Sequence, residues 1–157
     1  MKLHSLHLIP VLLLTLGSPV RAQSFALDSL DGLRLHGVAA EPVTYQGRSA
    51  LRVVQQEAEA RTGDSIVVLR GTDFGDGSIE FDLAARPAPG AVAQARGFAG
   101  VAFRVAADVS RLECFYLRPT NGRADDQLRR NHSTQYVSHP DYPWYRLREE
   151  TPGRYES

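Results

Sequence analysis

From Leu33 onward the chain alternates between apolar and polar positions in short runs. Leu33-Arg34-Leu35-His36-Gly37-Val38 is the first. Residues 42–45 and 50–54 flank Gln46-Gly47-Arg48 and predict a hairpin with glycine in its turn. Residues 65–69 form a short, nearly continuous apolar run, the pattern of a strand covered on both faces. After Asp73-Phe74-Gly75-Asp76-Gly77, the residues Ile79, Phe81 and Leu83 alternate with Ser78, Glu80 and Asp82, the sharpest period of two in the chain. Residues 86–97, rich in Pro, Gly and Ala, read as a loop. In residues 98–105, Val101, Phe103 and Val105 share one face and Arg104 takes the other; in 112–119, Phe115 and Leu117 oppose Tyr116 and Arg118. Beyond Thr120 the sequence turns polar and aromatic. No window of 10 to 12 residues has helical periodicity, and residues 55–61 and 124–130 predict a helical turn or two at most. Seven or eight strands joined by Gly-rich turns predict an all-β fold, an antiparallel two-sheet sandwich.

The N-terminus breaks this pattern. Residues 1–7 carry one Lys, residues 8–16 (LIPVLLLTL) are apolar but too short to span a bilayer, and Val20-Arg21-Ala22 supplies small residues at a cleavage site. Residues 1–22 read as a signal peptide and 23–157 as one domain, secreted or periplasmic, with a membrane anchor as the alternative. The composition, 43% hydrophobic and 23% charged, argues against disorder. Of the 18 basic residues, Lys2 and Arg21 lie in the leader, so the remainder has a formal charge of −2 against its 18 acidic residues. That balance gives no footprint for nucleic acid or for an anionic membrane. The one cysteine, Cys114, excludes an intramolecular disulfide and sits in a strand-like run where a thiol serves as core filler. Every basic residue after the leader is Arg, as expected of a GC-rich bacterial coding sequence.

Two stretches carry a family resemblance: GTDFGDGSIEFDL (71–83), leading through RGFAGVAFRV (96–105), and ECFYLRPTNGRADDQLRRNHSTQYVSHPDYPWYRLR (113–148). Together they resemble bacterial exported domains of the concanavalin A-like lectin/glucanase superfamily, nearest to the LamG-like and 3-keto-disaccharide hydrolase-type jelly rolls. The resemblance implies a two-sheet jelly roll whose concave face meets carbohydrate. It also implies further closing strands after a point like Ser157, so the chain reads as a fragment or a trimmed domain.

A retaining glycosidase needs two carboxyls about 5 Å apart. The laminarinase-like branch of the superfamily supplies them from Glu-x-Asp-x-(x)-Glu on one strand. Here Glu80 and Asp82 match the first two positions, but Ala84 and Ala85 stand where the second Glu belongs, which counts against that mechanism. Glu80 and Asp82 then either line a sugar groove or form a solvated face with a cross-strand ion pair to Arg104.

The segment 116–148 is the richest in chemistry. Sugars present apolar C–H faces and dense hydroxyls, so a binder combines aromatic platforms with fixed planar donors and acceptors. Arg118, Asn121, Arg123, Asp126, His132, Tyr136 and Trp144 are the candidate contacts, with Glu80, Asp82 and Arg104 beside them. The alternative is that Tyr136, Tyr142, Trp144 and Tyr145 close one end of the sandwich. His132 and His139 lack the short spacing of a zinc pair, and no metal site is expected. Asn121 with Asp125 and Asp126 offers oxygen ligands to Ca²⁺, against a salt-bridged loop with Arg129 and Arg130. Ser133 beside His132 has no third partner for a triad. The expected function is carbohydrate binding or processing, with two alternatives: a glycoside hydrolase or lyase of the 3-keto-disaccharide type, and an envelope domain without a small ligand.

Overall fold

Gln46 and Gly47 both adopt positive φ, 50° and 77°, the pair of left-handed conformations that matches the twist of two antiparallel strands. Around this turn β2 (Val38–Tyr45) and β3 (Arg48–Gln55) pair in one unbroken register from Val38↔Gln55 to Tyr45↔Arg48, the hairpin that the sequence predicts. The computed structural model describes residues 22–56 and 65–157. The leader up to Arg21, and the helical turn expected within 55–61 from residue 57 on, lie outside them.

A second antiparallel pair joins β1 (Leu33–His36) to β4 (Ile66–Leu69), Leu33 opposite Leu69. Every residue of β4 is half-buried, not covered on both faces as its apolar run predicts. A three-stranded antiparallel sheet follows, in the order β5 (Ala99–Phe103), β6 (Leu112–Leu117) and β7 (Thr134–His139). Residues 155–157 return along the far edge of β7. Tyr136 N–H donates to Tyr155 O at 2.9 Å, Thr134 N–H to Ser157 O at 2.6 Å, and Gln135 bridges Glu156. The described residues are thus dominated by antiparallel strands. Helices are short: α1 (Pro119–Gly122), α2 (Gln127–Arg130) and α3 (Trp144–Glu150). No helix among the described residues is long and apolar enough to cross a membrane.

Because side chains alternate along a strand and align across the ladder, each face of this sheet has its own chemistry. Val101, Phe115 and Tyr136 share one rung, and Leu117, Phe103 and Glu113 share their face. Gly100, Tyr116, Gln135 and Glu156 form a rung on the opposite face, with Ala102, Cys114 and Val137 on the next. Gly100 is needed there. A Cβ would sit 2.1 Å from Phe115 O and 2.5 Å from Tyr116 Cα, contacts that only backbone movement relieves.

Residues 79–83, the sharpest strand pattern in the sequence, join no ladder among the described residues. Alternation supplies an apolar face, but a strand also needs a neighbour for its N–H and C=O groups. Ile79, Phe81 and Leu83 instead line an open cleft of about 480 Å³ together with Gly100, Val101, Phe115 and Leu117. Val38, Val109, Leu112 and Leu147 are the deeply buried apolar side chains. They belong to β2, the loop before β6, β6 and α3, and none of them lines the cleft.

Candidate functional site

Arg118 follows Tyr116 by two residues and so projects from the same face, at the end of β6. Its guanidinium lies 5.4 Å from the Tyr116 ring centroid and 5.8 Å from that of Phe98, and these two rings are 5.3 Å apart. Planar cation and π-face attract each other at such distances, more strongly where water is excluded. Arg118 also donates to Gln135 Oε1 at 3.0 Å, Tyr116 Oη at 3.3 Å and the His132 carbonyl at 3.2 Å. Gln135, only 1% exposed, sends its Nε2 to the carbonyls of Tyr136 and Tyr155 at 2.9 and 3.2 Å. Asn121 Nδ2 shares the His132 carbonyl at 2.9 Å. The buried Oδ1 of Asn121 has no hydrogen-bond partner among the described residues.

Glu156 closes this network from the C-terminal segment. Its side chain is 5% exposed and meets three basic groups. Arg148, from α3, donates through Nε to Oε1 at 2.8 Å and through Nη2 to Oε2, the bidentate fork that guanidinium and carboxylate geometry favours. Arg118 Nη1 stands 3.9 Å from Oε2. His132 Nδ1 is 2.9 Å from the same oxygen, in ion-pair range but without hydrogen-bond alignment. The fork with Arg148 holds the Glu156 carboxyl below the usual carboxylate range, although burial pulls the other way. Arg148 in turn lies 4.9 Å from the Trp144 ring centroid. A continuous strip therefore runs over this face: Phe98 and Tyr116, Arg118, Glu156, Arg148, Trp144. The two end rings are open to solvent, Phe98 at 61% and Trp144 at 44%.

Of the residues expected from sequence, Arg118, Asn121 and His132 thus come together, and Trp144 joins them through Arg148. Tyr136 projects from the other face, where its Oη donates to Glu113 Oε2 at 2.8 Å and its ring lies 5.6 Å from Tyr155. Burial and the Glu113 carboxylate push the Tyr136 phenol up to about 12. Arg104 belongs to that second group, donating to Glu113 Oε1 at 2.8 Å and standing 3.9 Å from Asp76. It does not pair with Asp82, which bonds Arg48 of the hairpin. Glu80 and Arg123 are exposed. Asp126 caps α2, its Oδ1 accepting from Leu128 N–H at 2.8 Å. Arg130 donates to the carbonyls of Ala124 and Asp125. No group of three or more His, Cys, Asp or Glu side chains placed to hold a metal occurs among the described residues. Cys114 is pushed up to about 11 by burial, so its thiol stays protonated at neutral pH.

Sequence reasoning missed Glu156, Arg148, Phe98 and Tyr116 as members of the strip. Tyr116 was legible, since it shares a strand face with Arg118. Glu156 was not, because its place follows only from the pairing of residues 155–157 with β7.

The carboxylates of this sheet are divided between its faces. Glu113 and Glu156 project from opposite sides, so the two cannot form the close carboxyl pair of a retaining glycosidase. Glu156, held ionised, is suited to accept hydrogen bonds and unsuited to donate a proton to a leaving group. Comparison with family models, with curated proteins and with solved structures gives no match for this chain.

Proposed function

We propose that this chain is an exported carbohydrate-binding domain, a jelly-roll sandwich of the concanavalin A-like kind, that takes glycan on the Tyr116 face of the β5–β6–β7 sheet. The observation that carries the reading is the strip itself: exposed rings at both ends, with the part-exposed Arg148 guanidinium and His132 imidazole between them, braced by the buried Arg118, Asn121 and Gln135 side chains. Aromatic faces suit the C–H faces of pyranose rings, and planar donors in locked rotamers suit hydroxyl pairs at low entropic cost. The sandwich part of the reading draws on the apolar cleft. Ile79, Phe81 and Leu83 line one apolar cleft with Val101, Phe115 and Leu117, the alternating apolar positions that a second sheet would cover in a sandwich. Binding is favoured over turnover because the carboxylates lie on opposite faces.

The test is a saccharide panel read by thermal unfolding and by the emission of Trp144, the one tryptophan of the chain. A ligand of the folded state raises stability by about 2.7 kcal/mol at a hundredfold excess over its Kd. One sugar class is expected to raise the midpoint and perturb the emission. Trp144→Ala is expected to weaken that binding about tenfold, or about 1.4 kcal/mol, with the fold intact. A panel that moves neither signal, or a folded Trp144→Ala variant with undiminished affinity, would refute the assignment.

A further inference from the structure

Two ring platforms on one face are useful to an extended ligand only if their separation is held constant. Nothing covalent fixes it here. Phe98 immediately precedes β5 and Tyr116 lies on β6, whereas Trp144 opens the two-turn helix α3. That helix is tied to the sheet by the Ser138–Tyr142 bridge and the buried Leu147 rather than through the indole itself. The groups bridging them are Arg118 and Arg148, and both converge on a single carboxylate.

We propose that Glu156 is the positioning residue of this face. By gripping Arg148 and facing Arg118 at once, it locks Trp144 in place relative to the Phe98–Tyr116 pair, and the platform exists only while that carboxylate is ionised. The geometry leaves Glu156 little room for direct contact with ligand. Its side chain is nearly inaccessible, and Oε2 already faces three basic groups. Arg148, in contrast, is part-exposed, and its position over the indole depends on the fork. The groups that face the carboxylate are Arg148 from α3, Arg118 from the end of β6, His132 from the loop before β7, and Gln135 across the rung. Three of these are basic or become so on protonation, and none is acidic. Protonating Glu156 therefore leaves the two guanidiniums without their shared counter-charge and frees Arg148 to swing off the ring.

The affinity part of this proposal rests on the glycan reading; the spectroscopic part does not. The experiment compares wild type, Glu156→Gln and Glu156→Asp by Trp144 emission from neutral pH downward, and by affinity for whichever saccharide the panel identifies. Circular dichroism checks the strand content. In wild type, an emission step is expected below the usual Glu range, toward longer wavelength as the indole gains water. Glu156→Gln is expected to show the acid-form emission already at neutral pH, to lack that step, and to bind about tenfold more weakly. Glu156→Asp, which keeps the charge, is expected to retain a step and part of the affinity. A step that persists in Glu156→Gln belongs to His132 or another group and would overturn the proposal. So would a folded Glu156→Gln with wild-type emission at neutral pH. If Glu156→Gln loses strand content, Arg148→Met carries the test from the partly exposed partner, and wild-type emission there is equally fatal. An emission step in a protein that binds no saccharide would support the positioning role and refute the glycan reading.

Discussion

Arg118→Met is the sharpest test of the packing beneath the site. The unbranched thioether fills much of the volume of the arginine stem and removes every donor. Three acceptors lose a partner, but unequally. The His132 carbonyl keeps Asn121 Nδ2 at 2.9 Å. Tyr116 Oη belongs to a half-buried residue, where water can replace the lost donor. Gln135 Oε1 is the acceptor left stranded, on a side chain with almost no exposure. An orphaned buried acceptor costs about 1–3 kcal/mol. Losing the cation from over two rings adds about 0.5–1 kcal/mol, and relief from burying a guanidinium offsets part of the total. The net expectation is a destabilisation of about 2 kcal/mol, or a midpoint lower by roughly 4–8 °C for a chain of this size. Arg52→Met provides the contrast. Its ion pair with Glu41 is closer, at 2.7 Å, but both side chains are about 60% exposed, so its loss is worth less than about 1 kcal/mol. Urea unfolding of the two variants against wild type measures both. If Arg118→Met falls within about 0.5 kcal/mol of wild type at an unchanged denaturant slope, or if Arg52→Met costs more, burial does not govern these interactions as argued.

Two further outcomes follow from the same sheet. Gly100→Ala is expected to destabilise by about 1–3 kcal/mol or more, because its Cβ meets the β6 backbone; wild-type stability in equilibrium unfolding would mean that β5 and β6 separate freely there. Glu156 is held below its ordinary value by the Arg148 fork, and Glu113 by its hydrogen bond from Arg104. Both therefore contribute stability that is fully present above the unfolded value of 4.5 and is lost as pH falls through their lower folded values. Tyr136, raised by burial to about 12, works in the opposite sense: its contribution is complete below about 10 and disappears as pH rises toward 12. Unfolding midpoints across pH should be level in the neutral range and fall at both ends, and a fall already under way near neutrality would contradict these assignments.

The strands that alternation announces are largely present: the β2–β3 hairpin, β1, β5 and β6 lie where the pattern puts them. The misses have physical causes. β7 reads Thr-Gln-Tyr-Val-Ser-His, with polar groups on both faces, so no hydrophobic period marks it. α3 is only seven residues long, too short for a period of 3.6 to repeat clearly. Residues 79–83 show the opposite failure, where an ideal alternation finds no strand beside it among the described residues. Arg118, Asn121 and His132 were legible as candidates because guanidinium, amide and imidazole groups crowd one stretch of sequence. Tyr136 shares that chemistry but falls on the other face by strand register. Arg104 reaches that face because it lies past the end of β5 at a positive φ of 52°, which alternation does not foretell.

The rung Gly100–Tyr116–Gln135–Glu156 draws its members from three strands and the C-terminal segment, separated by 16 to 21 residues along the chain. Each pairing closes a loop before any contact rewards it, so such ladders form slowly compared with local structure. The strip cannot exist until the last of the four, residues 155–157, has docked on β7. An intermediate with β5, β6 and β7 in place but that segment free would have Phe98 and Tyr116 exposed and Trp144 without its anchor. Trp144 emission during refolding should therefore reach its final value only in the slowest phase, and any ligand of this face would trap the finished state and no earlier one.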